Sequence, residues 1–432
     1  MSALQLLAAA ACVVVFVMLA ARPALGIGAL LAIYPLLTQV PRSPVPGLNP
    51  ETILLLFAMI LTLARSGMHV PPLRISGPVL AFVAVMFLAW VIGRTVVDQF
   101  DPLTAAWERF KALKSRTFAV LLFFIAYWWI RNPVERRRVI EGISVAMLVV
   151  GLAGLVAVGG SAERAAGLFQ NANTTGDLLG VFLLCPLYLV WLEDLPKARR
   201  ALHAASYLVG FMALLYTLSR GGWLAYGVGH VLFFLLIDRR ILVLGTAAAA
   251  LMLTVGLPLA PEAVRDRIGG TFESSSQTVY QVGGTLDIEG SAASRVVVYK
   301  MGFDMFLDSP LWGHGAGAFK ANSRTYGARY GLLKPKTPHS FPLELLSEAG
   351  LLGLLALGWL SASVLLLGFS LLGREGESGR LGVLLLALGI STGFANLFHS
   401  DFLTNPVSAR FFWAIFGLCG AAYFAPSEID PV

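Results

Sequence analysis

Charge is scarce in this sequence. Only 13% of its 432 residues are Asp, Glu, Lys or Arg, about half the share of a soluble globular domain. Cysteine is scarce too. Cys12, Cys185 and Cys419 all lie inside apolar runs, which excludes a disulfide framework or a cysteine-held metal cluster and suits small buried residues. Acidic metal-binding motifs are also lacking. Asp98/Asp101, Asp287/Glu289 and Asp304/Asp308 are loose pairs that read as surface carboxylates, not as a bridge to a metal–diphosphate complex. The net charge of +7 is carried largely by short connectors between apolar stretches, a pattern of membrane topology more than of nucleic-acid binding.

Apolarity is what the chain has in excess. Hydrophobic residues make up 57% of it, and the mean hydropathy is +0.75. Runs long enough to cross a bilayer, or nearly so, fall at roughly 4–20, 25–40, 51–65, 78–97, 116–131, 138–159, 175–192, 203–219, 221–237, 240–259, 342–371, 381–398 and 406–424. In lipid an open segment can satisfy its backbone only as a helix, so the expected fold class is all-α, a polytopic membrane protein. The first run has the length of a signal peptide. It lacks a charged leading region, and a second run follows at once, so it is expected to be a retained span.

Connector charge predicts sidedness. "RNPVERRR" (131–138), "PKARR" (196–200) and "DRR" (238–240) are compact basic loops expected on the cytoplasmic side, with "GREGESGR" (373–380) a weaker case. Segments 160–174, 219–222, 260–340 and 399–405 then face outward. Thirteen spans place Met1 outside and twelve place it inside, so one early run is expected to fall short of a full crossing. The connector 98–116 faces outward by parity yet carries Arg109, Lys111, Lys114 and Arg116. It reads as a surface amphipathic helix touching anionic head groups. The chain thus divides into N-terminal transmembrane helices (1–259), an outer loop subdomain (260–340) and C-terminal transmembrane helices (341–432). A loop of that length inside a compact protein is functional or disordered, and Trp312, Phe319, Tyr326 and Tyr330 favour order.

Four outward places hold polar groups beside apolar helices. In "GLFQNANTTGDLLG" (167–180), Asn171 and Asn173 precede a helix start with Thr174 or Thr175 as cap. The stretch is either a capped turn or a set of amide and hydroxyl donors for sugar or phosphate oxygens. In "LYTLSRGGWLAYG" (215–227), Arg220 lies between two apolar runs with no carboxylate nearby in sequence. It either snorkels to the interface or presents its donor fork to a phosphate. In "SRVVVYKMGFDMFLDSPLWGHGAGAF" (294–319), Arg295 and Tyr299 share a helical face with Lys300 adjacent. That face is either solvated or a binding face, and the glycine turn around His314 is loop geometry. In "TPHSFPLELLSEAGLLG" (337–353), His339 stands at the mouth of a long apolar run, with Glu344 and Glu348 one turn apart behind it. A neutral imidazole there can accept a proton from a hydroxyl near neutral pH. His399 and Asp401 add polar groups in the last outer loop.

These pieces occur in a recognisable order. The asparagine-rich turn, "SRGG" between helices, the outer loop with "MFLDSPLWGHGAGAF", and a histidine followed by "LLSEAGLLG" together resemble the O-antigen ligase superfamily, over roughly 160–425. The superfamily includes O-antigen ligases, O-antigen polymerases and protein O-oligosaccharyltransferases. The resemblance implies a GT-C type glycosyltransferase of about twelve transmembrane helices in the bacterial inner membrane. Its site faces the periplasm, and it has no metal and no cofactor. Its donor is a glycan on undecaprenyl diphosphate, and in the ligase branch its acceptor is the lipid A–core of lipopolysaccharide, with inversion at the anomeric carbon. By position, Arg220 and Arg295 resemble the arginines that hold the diphosphate, and His339 resembles the histidine that takes or orients the acceptor hydroxyl. Asp401 resembles a polar position near the end. The family often has Asn after the histidine, where this chain has Ser340. The ligase branch is favoured over polymerase or protein oligosaccharyltransferase. A transporter for a lipid-linked anion is the alternative of another class. It is disfavoured by the lack of related halves and by the gathering of polar groups at one face.

Overall fold

The computed structural model describes residues 3–40, 49–66, 71–92, 102–130, 132–160, 162–192, 194–237, 240, 265, 290–330, 337–399 and 406–424. Asp401, most of the run at 240–259 and the 266–289 part of the outer loop lie outside them. The described elements are all helical. They are α1 (Ala3–Ala21), α2 (Pro23–Leu37), α3 (Pro50–Ser66), α4 (Leu73–Ile92), α5 (Pro102–Thr117), α6 (Leu121–Trp129), α7 (Pro133–Gly159), α8 (Ala172–Phe182), α9 (Leu184–Trp191), α10 (Lys197–Tyr216), α11 (Arg220–Ile237), α12 (Gly290–Asp308), α13 (Ala318–Ala328), α14 (Phe341–Leu372), α15 (Gly376–Phe398) and α16 (Pro406–Phe424). Among the described residues seven segments are long and apolar enough to cross a membrane, with α8 and α9 together forming one of them. The chain is a multi-pass membrane protein.

Local signals set the helix ends. Asn132 caps α7 in a capping box with Glu135, and Pro133 occupies the first turn, where its missing N–H costs nothing. Asn171, not Thr174 or Thr175, caps α8 by accepting from the amides of Asn173 and Thr174. The cap falls there because Asn171 has the extended backbone of a capping residue (φ −141°, ψ 110°). Thr175 instead donates its hydroxyl to Ala166 O at 2.7 Å.

Without a hydrophobic drive between helices in lipid, close approach of small residues sets the packing. A Cβ on Gly142 of α7 would lie 2.1 Å from Gly28 O of α2, and one on Gly222 of α11 would lie 2.6 Å from Gly176 O of α8. α14 and α15 form an antiparallel hairpin in which Gly382 meets Leu372 and Gly389 meets Val364.

Ion pairs sort the connectors to opposite ends. At one end Arg136 binds Glu377 at 2.6 Å, Arg137 pairs with Asp194, and Arg199 lies 3.6 Å from Glu141. Three of the connectors expected on one side are therefore tied to one another or to their neighbours. The other end carries the starts of α8, α11 and α14 and the end of α15.

That second end corrects the reading of the 98–116 connector. It forms α5, but Arg116 is buried and pairs with both Glu344 and Glu348 of α14. Burial opposes the Arg116 charge, and the two carboxylates more than offset it and push its pKa up. Lys114 donates to Thr52 Oγ1 at 2.8 Å and Asn49 Oδ1 at 3.3 Å. The basic groups at this end of the helix serve internal contacts and not lipid head groups, because the partners come from α3 and α14, remote in sequence.

Candidate functional site

The site is built on His399. It follows the last residue of α15 in extended conformation (φ −140°, ψ 129°), which turns its ring back into the protein. Its Nδ1 lies 3.1 Å from Asp177 Oδ2 of α8, and both side chains are at most a tenth exposed. A carboxylate only accepts, so in the neutral ring the hydrogen is assigned to Nδ1 and Nε2 carries the lone pair. That Nε2 is buried with no hydrogen-bond partner and packs against the start of α11. A Cβ on Gly221 would stand 2.4 Å from it. Burial, together with the charges of Arg295 and His339, pushes the His399 pKa down to about 4. This one imidazole thus touches α8, abuts the residue after Arg220, and lies within electrostatic reach of both Arg295 and His339. Gly221→Ala is expected to force the ring off Asp177 and to cost about 1–3 kcal/mol, the usual penalty of overpacking. A thermal melt of the purified variant checks this, and an unshifted melting temperature would show that the ring can yield.

Arg220 opens α11 two residues after Leu218, whose φ of +52° turns the chain sharply just before the helix start. Arg220 Nε is buried and has no hydrogen-bond partner. Arg295 lies on α12, half-buried. Among the described residues neither guanidinium has a carboxylate partner, whereas Arg116, Arg136, Arg137 and Arg410 all do. A partly buried cation is costly without a counter-charge, so each of these arginines is a candidate partner for an anion.

His339 sits in the turn before α14 with φ +50°, a left-handed conformation uncommon for a residue with a side chain. Ser340 then returns to extended backbone and Pro342 occupies the first turn of the helix. Glu344 and Glu348 do not face the histidine as a catalytic pair, since both hold Arg116. Glu348 also accepts from the amides of Gly317 at 2.9 Å and Phe319 at 3.0 Å, capping α13. It therefore joins α5, α14 and the outer hairpin of α12 and α13.

The remaining predicted positions separate. Asn171 Oδ1 is used in capping α8, and Asn173 Oδ1 accepts from Arg164 Nη2 at 2.9 Å, so only their amide N–H groups are left as donors. Tyr299 and Lys300 line a groove of about 630 Å³ between α12 and the first turns of α14, with Ser340 and Leu343 opposite. Asp304 and Asp308 are not a loose surface pair. They accept from Tyr330 and Tyr326 at 2.7 and 2.6 Å and clasp α13 to α12. His314 is structural, its Nε2 lying 2.8 Å from Met305 O. Asp401 lies outside the described residues.

The sequence pattern assigns Asp177 no role, and the pairing of Arg116 with Glu344 and Glu348 is visible only in the fold. Asp177 had a usable signal, because it is the one carboxylate in the apolar run 175–192, where an ionisable group marks a site or a partner.

Residues 205–358, which include Arg220, Arg295 and His339, match the family model described as O-antigen ligase. Over that span the chain is similar to the O-antigen ligase family. No curated protein matches it in sequence. Asp177 and His399 lie outside the matched span.

Proposed function

We propose that this chain is an O-antigen ligase of the inner membrane. It transfers a glycan from undecaprenyl diphosphate to the lipid A–core of lipopolysaccharide at the periplasmic face, without a metal and with inversion. The observation that carries the reading is a pair of guanidinium groups, Arg220 and Arg295, neither with a carboxylate partner among the described residues, with Gly221 against the buried His399 ring and Arg295 and His339 within that ring's electrostatic reach. A diphosphate supplies the missing anionic charge, and arginine's planar fork suits its oxygens.

The reaction is a direct displacement. The acceptor hydroxyl attacks C1 of the reducing-end sugar as the bond from C1 to the diphosphate oxygen breaks. The electron pair leaves with undecaprenyl diphosphate, where Arg220 and Arg295 meet the growing charge. The hydroxyl proton passes to His339. Fixed donors in a site with little water stabilise such charge strongly, because they need no reorganisation as it develops.

The test is transfer of a lipid-linked glycan to purified acceptor lipid by the reconstituted protein. Laddered product from the native chain is expected, retained in the presence of a chelator. His339→Ala should lower its rate by about a hundredfold, within the range for loss of one acid–base group. Undiminished product from His339→Ala would remove the histidine from the mechanism. Product extending the donor glycan without acceptor lipid would assign polymerase activity instead.

A further inference from the structure

Helix α14 is broken at Gly350, whose φ of +62° and ψ of −156° interrupt the helix. The segment after the break, 351–372, is about 33 Å long at the helical rise, close to the hydrocarbon thickness of a bilayer. Its far end adjoins the connector carrying Arg374 and Glu377, and Glu377 is tied to Arg136. Gly350 therefore marks the hydrocarbon boundary on the side of the candidate site.

The outer hairpin is seated at that boundary. Leu351 N donates to Pro310 O at 2.8 Å, and His314 and Gly315 donate to Ser347 O and Glu348 O. A Cβ on Gly350 would stand 2.5 Å from the Leu311 backbone. From this turn α12 runs back along the first turns of α14, with Gly302 against Leu343. One face of α12 is covered, since Val298, Met301 and Met305 pack on Phe319 and Tyr326 of α13. Another is not. Phe303, Leu307 and Leu311, four apart, are 50%, 58% and 46% exposed, and Trp312 is 41% exposed.

This stripe continues a surface already given to lipid. Phe303 lines the α12–α14 groove together with Leu354, and Leu354 belongs with Leu351, Leu355 and Trp359 to the exposed apolar face of the spanning part of α14. A helix apolar on an uncovered face, followed by a turn with a tryptophan at the hydrocarbon boundary and carrying exposed Lys300 mid-helix, has the features of an interfacial anchor.

We propose that α12 and the turn that follows it form a membrane-interface anchor that beds Phe303, Leu307, Leu311 and Trp312 into the lipid leaflet on the side of the site. The anchor fixes the depth of Arg295, eight residues or about 12 Å along the helix from Phe303, at the level of lipid head groups. The proposal rests on the membrane fold and stands whether or not the transfer reaction is the one given above.

The test uses the full chain in phospholipid vesicles, with Cys12, Cys185 and Cys419 replaced by alanine and one nitroxide-labelled cysteine at 303, 307 or 311. Positions 320 and 324 on α13 serve as water-facing controls. Labels on the stripe should collide with dissolved oxygen in preference to a water-soluble nickel chelate, by at least about threefold over the controls, as for an interfacial apolar face. Equal nickel access at the stripe and the controls overturns the proposal. So does low access to both reagents at the stripe, which would mean that protein covers it. A second measurement needs no label. Brominated lipids should quench the fluorescence of the native protein more than that of Trp312→Phe, and identical quenching would equally overturn the assignment.

Discussion

Alanine at Arg295, or at Arg220, is expected to lower the rate of the proposed transfer by at least about a hundredfold, the loss seen when one preorganised donor to a developing oxyanion is removed, while the protein stays folded. The folded state is expected to survive because neither side chain has an ion-pair partner among the described residues. Removing an unpaired cation abandons no buried carboxylate and relieves a desolvated charge. Activity is lost because the leaving diphosphate is then met by one guanidinium and not two. Lysine at either position should restore only part of the rate, since a point charge keeps attraction but not the forked geometry. The reconstituted transfer assay reads this directly, with a melting curve as the control for folding. A variant that melts normally and transfers at the native rate would exclude that arginine from the site.

Glu348→Ala is expected to have the largest effect on stability. It removes one of the two carboxylates facing buried Arg116, and breaking a buried pair from one side costs about 3–5 kcal/mol. It also strips the amides of Gly317 and Phe319 of their acceptor, at about 1–3 kcal/mol for each donor left buried and unsatisfied. The loss should appear as a large fall in melting temperature or a failure to accumulate in the membrane. Glu348→Gln, which keeps a carbonyl for the amides but no charge, should fall between the two. If Glu348→Ala melts within a few degrees of the native protein, Glu348 does not hold the hairpin to α5 and α14.

The two predictions contrast arginines that local sequence cannot tell apart. Arg116 and Arg220 both border apolar runs, and both lack a carboxylate close by in the chain. Arg116 finds Glu344 at a separation of 228 residues, and Arg220 finds none among the described residues. A hydropathy pattern reports where a cation sits along the chain. The counter-charge is a property of the three-dimensional packing.

The same limit explains the other departures. Glu344 and Glu348 stand one turn apart behind His339, and their spacing places them on one face. Nothing local says that the face meets α5. Asn171 and Asn173 carry the amides that suit sugar recognition, and the fold uses one oxygen of each for a cap and for Arg164. His399 reads as a loop histidine, and it is buried in the candidate site because Gly176 and Gly222 let α8 and α11 touch, bringing Asp177 and Gly221 to it.

What the sequence determined by itself is the helical membrane fold and the polar landmarks Arg220, Arg295 and His339. Long apolar runs can satisfy their backbone in lipid only as helices, and each landmark stands out because a charged or polar group is costly at such a boundary. Which landmarks remain unpaired, and which are neutralised as internal struts, was decided only by the tertiary structure. Pairing of buried charges depends on helices brought together from distant parts of the chain, and a one-dimensional pattern carries no distance between them.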